Sequence, residues 1–388
     1  MFLALRDLRF ARGRFALMGA VVALIAVLGV LLTGLSAGLS GSGVSGLAAL
    51  PADHVAFSAT AAGDLYSRSQ VDAATWTRAA TEPGVVSAAP FGNLTTTAAV
   101  TGGAAAPRGG RQAGAAAGPA KEVDVQLFGI QPGSFIAPAP TSGAALGSTA
   151  NGVLISPAIA DQGVAIGDAI TLGPTGVPAT VIGETAAASY SHIGVIYAPL
   201  RLWQQVHYGL PGPMPQSAAS QASAIALDLA PGTSISALDR ALGTQTLAKS
   251  ATYAAVPGYA AETGTMTLIR VFLYLISALV VGAFFTVWTV QRRREIALLK
   301  ALGAATAYVL RDALAQVAVI LVSATAVGTV LGSLAGGLLT GVGAPFALDP
   351  GQVALSAGLL ILLGVSGAVI AIRRVTSVDP LTALGADR

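Results

Sequence analysis

Residues 15–35 read FALMGAVVALIAVLGVLLTGL, without one ionisable side chain. A helix needs about 20 mostly apolar residues to cross roughly 30 Å of hydrocarbon, so this stretch is long enough to span a bilayer. Three further runs of the same kind follow at 271–290, 313–339 and 353–372. The chain of 388 residues is 54% hydrophobic and only 10% charged, whereas a soluble domain carries roughly a quarter charged residues. Its apolar residues gather at the two ends. The first run exceeds the core of a cleaved signal peptide, about 7–15 residues, and reads as a retained anchor despite the arginines before it and the small residues after it.

Orientation follows from Lys and Arg near the span ends. Four arginines precede the first span (Arg6, Arg9, Arg12, Arg14), and five basic residues lie between the second and third (Arg292, Arg293, Arg294, Lys300, Arg311). Three more follow the fourth span, while the loop between the third and fourth has none and carries Asp349. Both termini are therefore expected in the cytoplasm. Residues 40–265 lie outside and carry 12 acidic against 8 basic side chains.

That outer segment has a different pattern. Short β-rich runs such as DHVAFSA, NLTTTAAV, KEVDVQLFGI, DAITL, VPATVIGE, IGVIYAP and SAIALDLA alternate with turn residues. Helices are expected at SRSQVDAATWTRAA, SPAIADQG, PLRLWQQVHY and SISALDRALG. Residues 101–120, nearly all Gly, Ala and Pro, cannot bury enough apolar surface to offset their ordering entropy and read as a flexible loop. The fold class is thus an α+β membrane protein, four transmembrane helices with a mixed α/β extracytoplasmic domain inserted between the first and second.

Several chemistries are excluded by composition. With no cysteine there are no disulfides and no thiolate sites. No phosphate-binding G-x-x-x-x-G-K-[ST] string occurs, and only Lys121, Lys249 and Lys300 could serve one. His54, His192 and His207 lack the spacing of a helical metal site and read as surface or structural residues. No G-x-S-x-G marks a nucleophile, and a net charge of +3, unevenly spread, does not suggest nucleic-acid binding. No intrinsic cofactor, no metal and no catalytic residue are expected, so the chain is not expected to be an enzyme. In the third span, Gly328, Gly332 and Gly336 recur every four residues, a spacing that lets helix backbones approach closely. The stripe suits either packing against the fourth span or a dimer interface.

The most specific string, QRRREIALLKALGAATAYVLRDALAQ at 291–316, joins the second span to the third. Ile296, Leu298, Leu299 and Leu302 put apolar side chains on a short helix with a strongly basic start. A charged boundary loop explains the arginines, whereas an apolar helix in cytoplasm points to a docking partner. Here the chain resembles the MacB/FtsX-like family of ABC transporter permeases, whose cytoplasmic coupling helix carries a similar segment. MFLALRDLRFARGRFAL resembles the family's N-terminal amphipathic helix, RRVTSVDPLTALGA its cytoplasmic tail, and GVLISPAIADQGVAIGDAITLGPTGVPATVIGE its periplasmic core.

The resemblance implies a division into a cytoplasmic amphipathic helix (1–14), first span (15–39), MacB-like outer domain (40–265), second span (266–291), coupling loop (292–312), third span (313–340), external loop (341–352), fourth span (353–372) and tail (373–388). It implies a separate ABC ATPase in two copies carrying the ATP, a second copy of this chain, and a place in the cytoplasmic (inner) membrane. The ATPase contact would fall on Arg294, Glu295, Ile296, Leu298, Leu299, Lys300 and Gly303. Such permeases do mechanical work, without passing substrate through a central pore.

Before the second span, Tyr259, Glu262, Met266 and Arg270 recur at three- and four-residue steps and share one face if that helix extends outward. These side chains suit ligation of haem iron and pairing with a propionate. The simpler reading makes Glu262 and Arg270 an interfacial anchor and Met266 a packing residue. The segment is similar to the DevC/HrtB branch of the family, which includes haem efflux permeases. Efflux of a membrane-soluble compound, haem first, is the leading expectation. MacB- or Lol-like export of drugs or lipoproteins, and an FtsX-like regulator of an extracellular cell-wall hydrolase, are the alternatives.

Overall fold

The structure, a computed structural model, describes residues 12–102, 122–209, 214–291, 305–341 and 344–376. Most of the amphipathic segment 1–14 and of the loop 101–120 lies outside these residues. So do the seven coupling positions between Arg294 and Gly303, and the tail from 377 on.

The described residues begin with α1 (Arg12–Ala48). Then come β1 (His54–Ser58), α2 (Leu65–Arg68), β2 (Val71–Asp72), α3 (Ala73–Ala79), β3 (Val85–Gly102) and β4 (Glu122–Ile130). The middle of the chain holds β5 (Ser142–Gly143), β6 (Gly152–Ile155), α4 (Pro157–Ala160), β7 (Ala169–Leu172), β8 (Val177–Glu184), β9 (Ser189–Tyr190) and β10 (Ile193–Pro199). It continues with α5 (Leu200–His207), α6 (Gln216–Ala219), β11 (Gln221–Ala222), β12 (Ala224–Leu229), α7 (Ile235–Leu242), β13 (Thr244–Ala248) and α8 (Lys249–Thr252). Three long helices end the described chain, α9 (Tyr259–Gln291), α10 (Thr306–Gly341) and α11 (Pro350–Thr376). The chain divides into two units, one formed by the residues up to Leu39 together with those from Thr263 on, the other by Ser40–Glu262.

In the helical unit, α1, α9, α10 and α11 each hold a segment long and apolar enough to cross a membrane. The core they share contains Phe15, Met18, Val22, Val281, Phe285, Val317, Leu321 and Leu360. Helix α11 starts at Pro350, whose fixed φ suits a first helical turn, and the Asp349 carboxylate caps it by accepting from Gly351 N at 2.8 Å. The glycine stripe of α10 meets α1, not the fourth helix. A Cβ on Gly328 would strike Ala23 O and Ala26, and one on Gly332 would meet Val27 and Val30. The Phe346 ring fills the space left by both Gly34 and Gly336. Four-residue spacing fixes which face approaches closely but not which helix it approaches. The fourth helix uses its own small residues, Gly367 against Ala278 of α9 and Gly364 against Leu321 of α10. Gly328→Leu is expected to destabilise the helical unit by about 1–3 kcal/mol through overpacking, measured by unfolding of the purified protein in detergent; an unchanged midpoint would contradict this packing.

The inserted unit is built on an 11-stranded sheet ordered β13-β1-β12-β3-β4-β10-β6-β8-β5, with β7 bridging β3 and β8 and β9 pairing β10. The pairs β4–β10 and β6–β8 are parallel and the rest antiparallel. Because side chains alternate along a strand, β10 sends Val195 and Tyr197 to one face and Ile196 and Ala198 to the other. The first face buries Phe57, Tyr66, Phe91, Phe128 and Tyr190 together with Val44 and Leu47 from the end of α1. Its rings meet edge to face, for example Phe91–Phe128 with centroids 4.9 Å apart. The second face is covered by α5 through Leu202, Trp203 and Val206.

The stretch SRSQVDAATWTRAA is not one helix. Val71 and Asp72 pair with Ala222 and Gln221 as a short strand, and Asp72 then caps α3, its carboxylate accepting from Thr75 N at 2.8 Å and Thr75 Oγ1 at 2.7 Å. An Asp that can accept from the residue three ahead starts a helix where it stands. These hydrogen bonds hold its carboxyl below the ordinary Asp range. In SPAIADQG only Pro157–Ala160 is helical.

Candidate functional site

The four residues singled out on spacing all stand on α9, and the fold gives them a common side. Tyr259, Glu262, Met266 and Arg270 are half-buried, whereas Ala260, Ala261, Gly264, Thr265 and residues 267–269 are exposed. Arg270 donates from Nε to Met266 O at 3.4 Å, one turn back. Tyr259 sits ring to ring with Tyr253, centroids 6.1 Å apart, and packs against the inserted unit's core.

Glu262 has a partner that spacing could not reveal. The β9–β10 hairpin closes through two residues, Ser191 and His192, both at positive φ, 49° and 65°. Two-residue hairpins of the primed type demand this conformation, usually met by Asn-Gly or Gly. Left-handed backbone costs a residue with a Cβ about 1–2 kcal/mol, so the surroundings must hold the turn. They do so from two sides. Toward α1, Ser191 N donates to Gly43 O at 2.8 Å, Ser189 Oγ donates to Ser42 O at 2.6 Å, and Ser189 N donates to Ser45 Oγ at 2.9 Å. Toward the start of α9, Ser191 Oγ donates to Pro257 O at 3.1 Å, and His192 Nε2 lies 3.1 Å from Glu262 Oε2. The other ring nitrogen, Nδ1, is 2.8 Å from Ser42 Oγ. Ser42, His192 and Glu262 thus form one hydrogen-bonded chain linking the last turns of α1 to the first turn of α9. Both His192, with its side chain 45% exposed, and Glu262, 22% exposed, remain open to solvent.

A cation seals the end of α1. Lys249 Nζ donates to Ala48 O at 2.8 Å and Leu50 O at 2.7 Å, satisfying carbonyls that a helix terminus leaves without partners. Partial burial holds this ammonium below the ordinary lysine value, and the nearby Asp53 works against that shift. The other histidines have different settings: His54 lies 3.0 Å from Asp53, and His207 stacks on Trp203. Among the described residues, no group of three or more His, Asp or Glu side chains is placed to hold a metal ion.

Residues 267–380, from α9 through α11 and beyond, match the family model described as FtsX-like permease C-terminal. That match takes in the last three long helices and leaves the inserted unit outside it. With four helices of membrane-crossing length and composition, the protein is a multi-pass membrane protein. The chain is 29% identical over 143 residues to a putative hemin transport system permease protein HrtB of Staphylococcus epidermidis, covering 37% of this chain and 41% of that one. It is 33% identical over 133 residues to the HrtB of Staphylococcus haemolyticus, covering 34% and 37%. The matches therefore span about two-fifths of the length of these relatives. Among solved structures, the periplasmic region of MacB from Actinobacillus actinomycetemcomitans aligns at 14% identity with a TM-score of 0.35, over 53% of this chain and 92% of that one.

Proposed function

We propose that this chain is the permease subunit of an ATP-driven ABC efflux pump, and that its substrate is haem or a similar membrane-soluble compound. Two copies of the chain would pair with two copies of a separate ATPase, which docks from the cytoplasm on the segment from Arg294 to Gly303. Both termini would then lie in the cytoplasm, and the inserted unit outside. The observation that carries the haem reading is the likeness to permeases named for hemin transport, taken with the row of Tyr259, Glu262, Met266 and Arg270.

The mechanical part of the reading is supported by the continuity of α9. This single helix runs from Tyr259 to Gln291, next to the expected coupling segment, and a rigid helix carries an axial or tilting displacement along its whole length. In the pump, ATP-driven closure of the ATPase pair would move the inner end of α9, and the Ser42–His192–Glu262 chain would pass that movement to the hairpin.

The test is a titration of the purified full-length protein with haemin. A saturable Soret shift is expected, weakened in Glu262→Ala and in Met266→Ala. If the wild-type protein gives no shift, haem is not the substrate; if deletion of the gene then alters cell-wall hydrolysis and not tolerance of toxic compounds, the FtsX-like regulatory role replaces efflux.

A further inference from the structure

We infer that His192 is an iron-binding residue of the haem site, with Ser42 as the residue that orients its ring. This rests on the haem reading of the α9 row and adds to it a side chain from another part of the chain. Among the side chains at hand, imidazole is the one most often found as a haem ligand, and His192 is the histidine that the fold brings to that row, 3.1 Å from Glu262.

Three observations carry the assignment. The first is backbone conformation. A Ser-His turn at positive φ occupies a place where Asn or Gly would relax the chain, and strained positions of this kind cluster at functional sites. The second is the ring's orientation. Metal-ligating histidines almost always engage their second nitrogen with a hydrogen-bonding group that fixes tautomer and direction. Ser42 Oγ, 2.8 Å from Nδ1, stands in that position. With the ring proton on Nδ1 and donated to Ser42, the Nε2 lone pair is available to iron. The third is access, since the imidazole is partly exposed. The surroundings contain an anion to offset ferric charge, Glu262. In the structure one proton is shared between Nε2 and Glu262, so iron reaches the ring when this pair parts with that proton on Glu262, which releases it to solvent and is then a carboxylate able to serve as a second ligand.

Purified full-length protein in lipid nanodiscs, titrated with haemin and followed through the Soret and visible bands, tests this. Asn tolerates left-handed backbone, so His192→Asn keeps the turn and removes the ligand; thermal unfolding without haemin verifies that the variant is folded. His192→Asn is expected to change the iron's spin-state bands and to weaken binding by more than tenfold, and added imidazole is expected to restore the wild-type spectrum. Ser42→Ala should weaken binding by about tenfold, the lower end for loss of an orienting partner. If the wild type binds haemin and folded His192→Asn gives the same spectrum and affinity, the assignment of His192 is overturned while the haem reading stands. If the wild type itself binds none, both are overturned.

Discussion

Trp203→Ala should lower the unfolding free energy of the inserted unit by about 3–5 kcal/mol, the range for deleting a large buried aromatic. Trp203 is 1% exposed, and two strands are shaped around it: a Cβ on Gly92 of β3 would strike its indole, and one on Gly129 of β4 would lie 2.5 Å from it. The His207 ring stacks on it, centroids 4.7 Å apart and 13° from parallel. Because the glycines leave a slot that no smaller side chain fills, the alanine variant opens a cavity that the sheet cannot close without moving. Chemical denaturation of the full-length protein, followed by near-ultraviolet circular dichroism, measures the loss. A change below about 1 kcal/mol would mean that α5 does not pack on this face.

The largest functional effect is expected from Leu298→Asp with Leu299→Asp. In the efflux reading these side chains enter the ATPase, and a charge at such a position must be desolvated without a partner. An interface anchor is worth about 2 kcal/mol or more, about 30-fold in affinity, so the double variant should lose its ATPase on co-purification and lose export altogether. Haemin binding to the permease alone should be unchanged. Retention of the ATPase by the double variant would remove this segment from the interface.

These two cases differ in how far the sequence reveals them. The apolar runs are legible because a bilayer imposes length and composition on any crossing helix. The glycine stripe on α10 is legible as a close approach, but its partner is not, since periodicity describes one helix and the choice between α1 and α11 is tertiary. In SRSQVDAATWTRAA the helical composition hides a strand because the capping strength of Asp72 and the burial of Val71 override propensity. The α9 row follows from spacing on one element. His192 could not be found in that way. Its turn has neither Gly nor Asn to announce it, and its two side-chain partners stand 150 and 70 positions away. A site residue donated by a distant hairpin leaves no periodic trace. The residue that costs the turn its usual sequence is itself the one local clue.

Strand β1 opens the inserted unit and β13 nearly closes it, and the two are hydrogen-bonded neighbours, His54 opposite Ala248 and Ser58 opposite Thr244. To the rest of the chain, roughly two hundred residues therefore present themselves as a link whose two ends already touch. Joining the ends of a loop costs entropy that grows with its length, and here the sheet itself meets that cost. The unit is thus a cartridge: a different one, with the same adjacent ends, can be fitted between α1 and α9 without redesigning the helices.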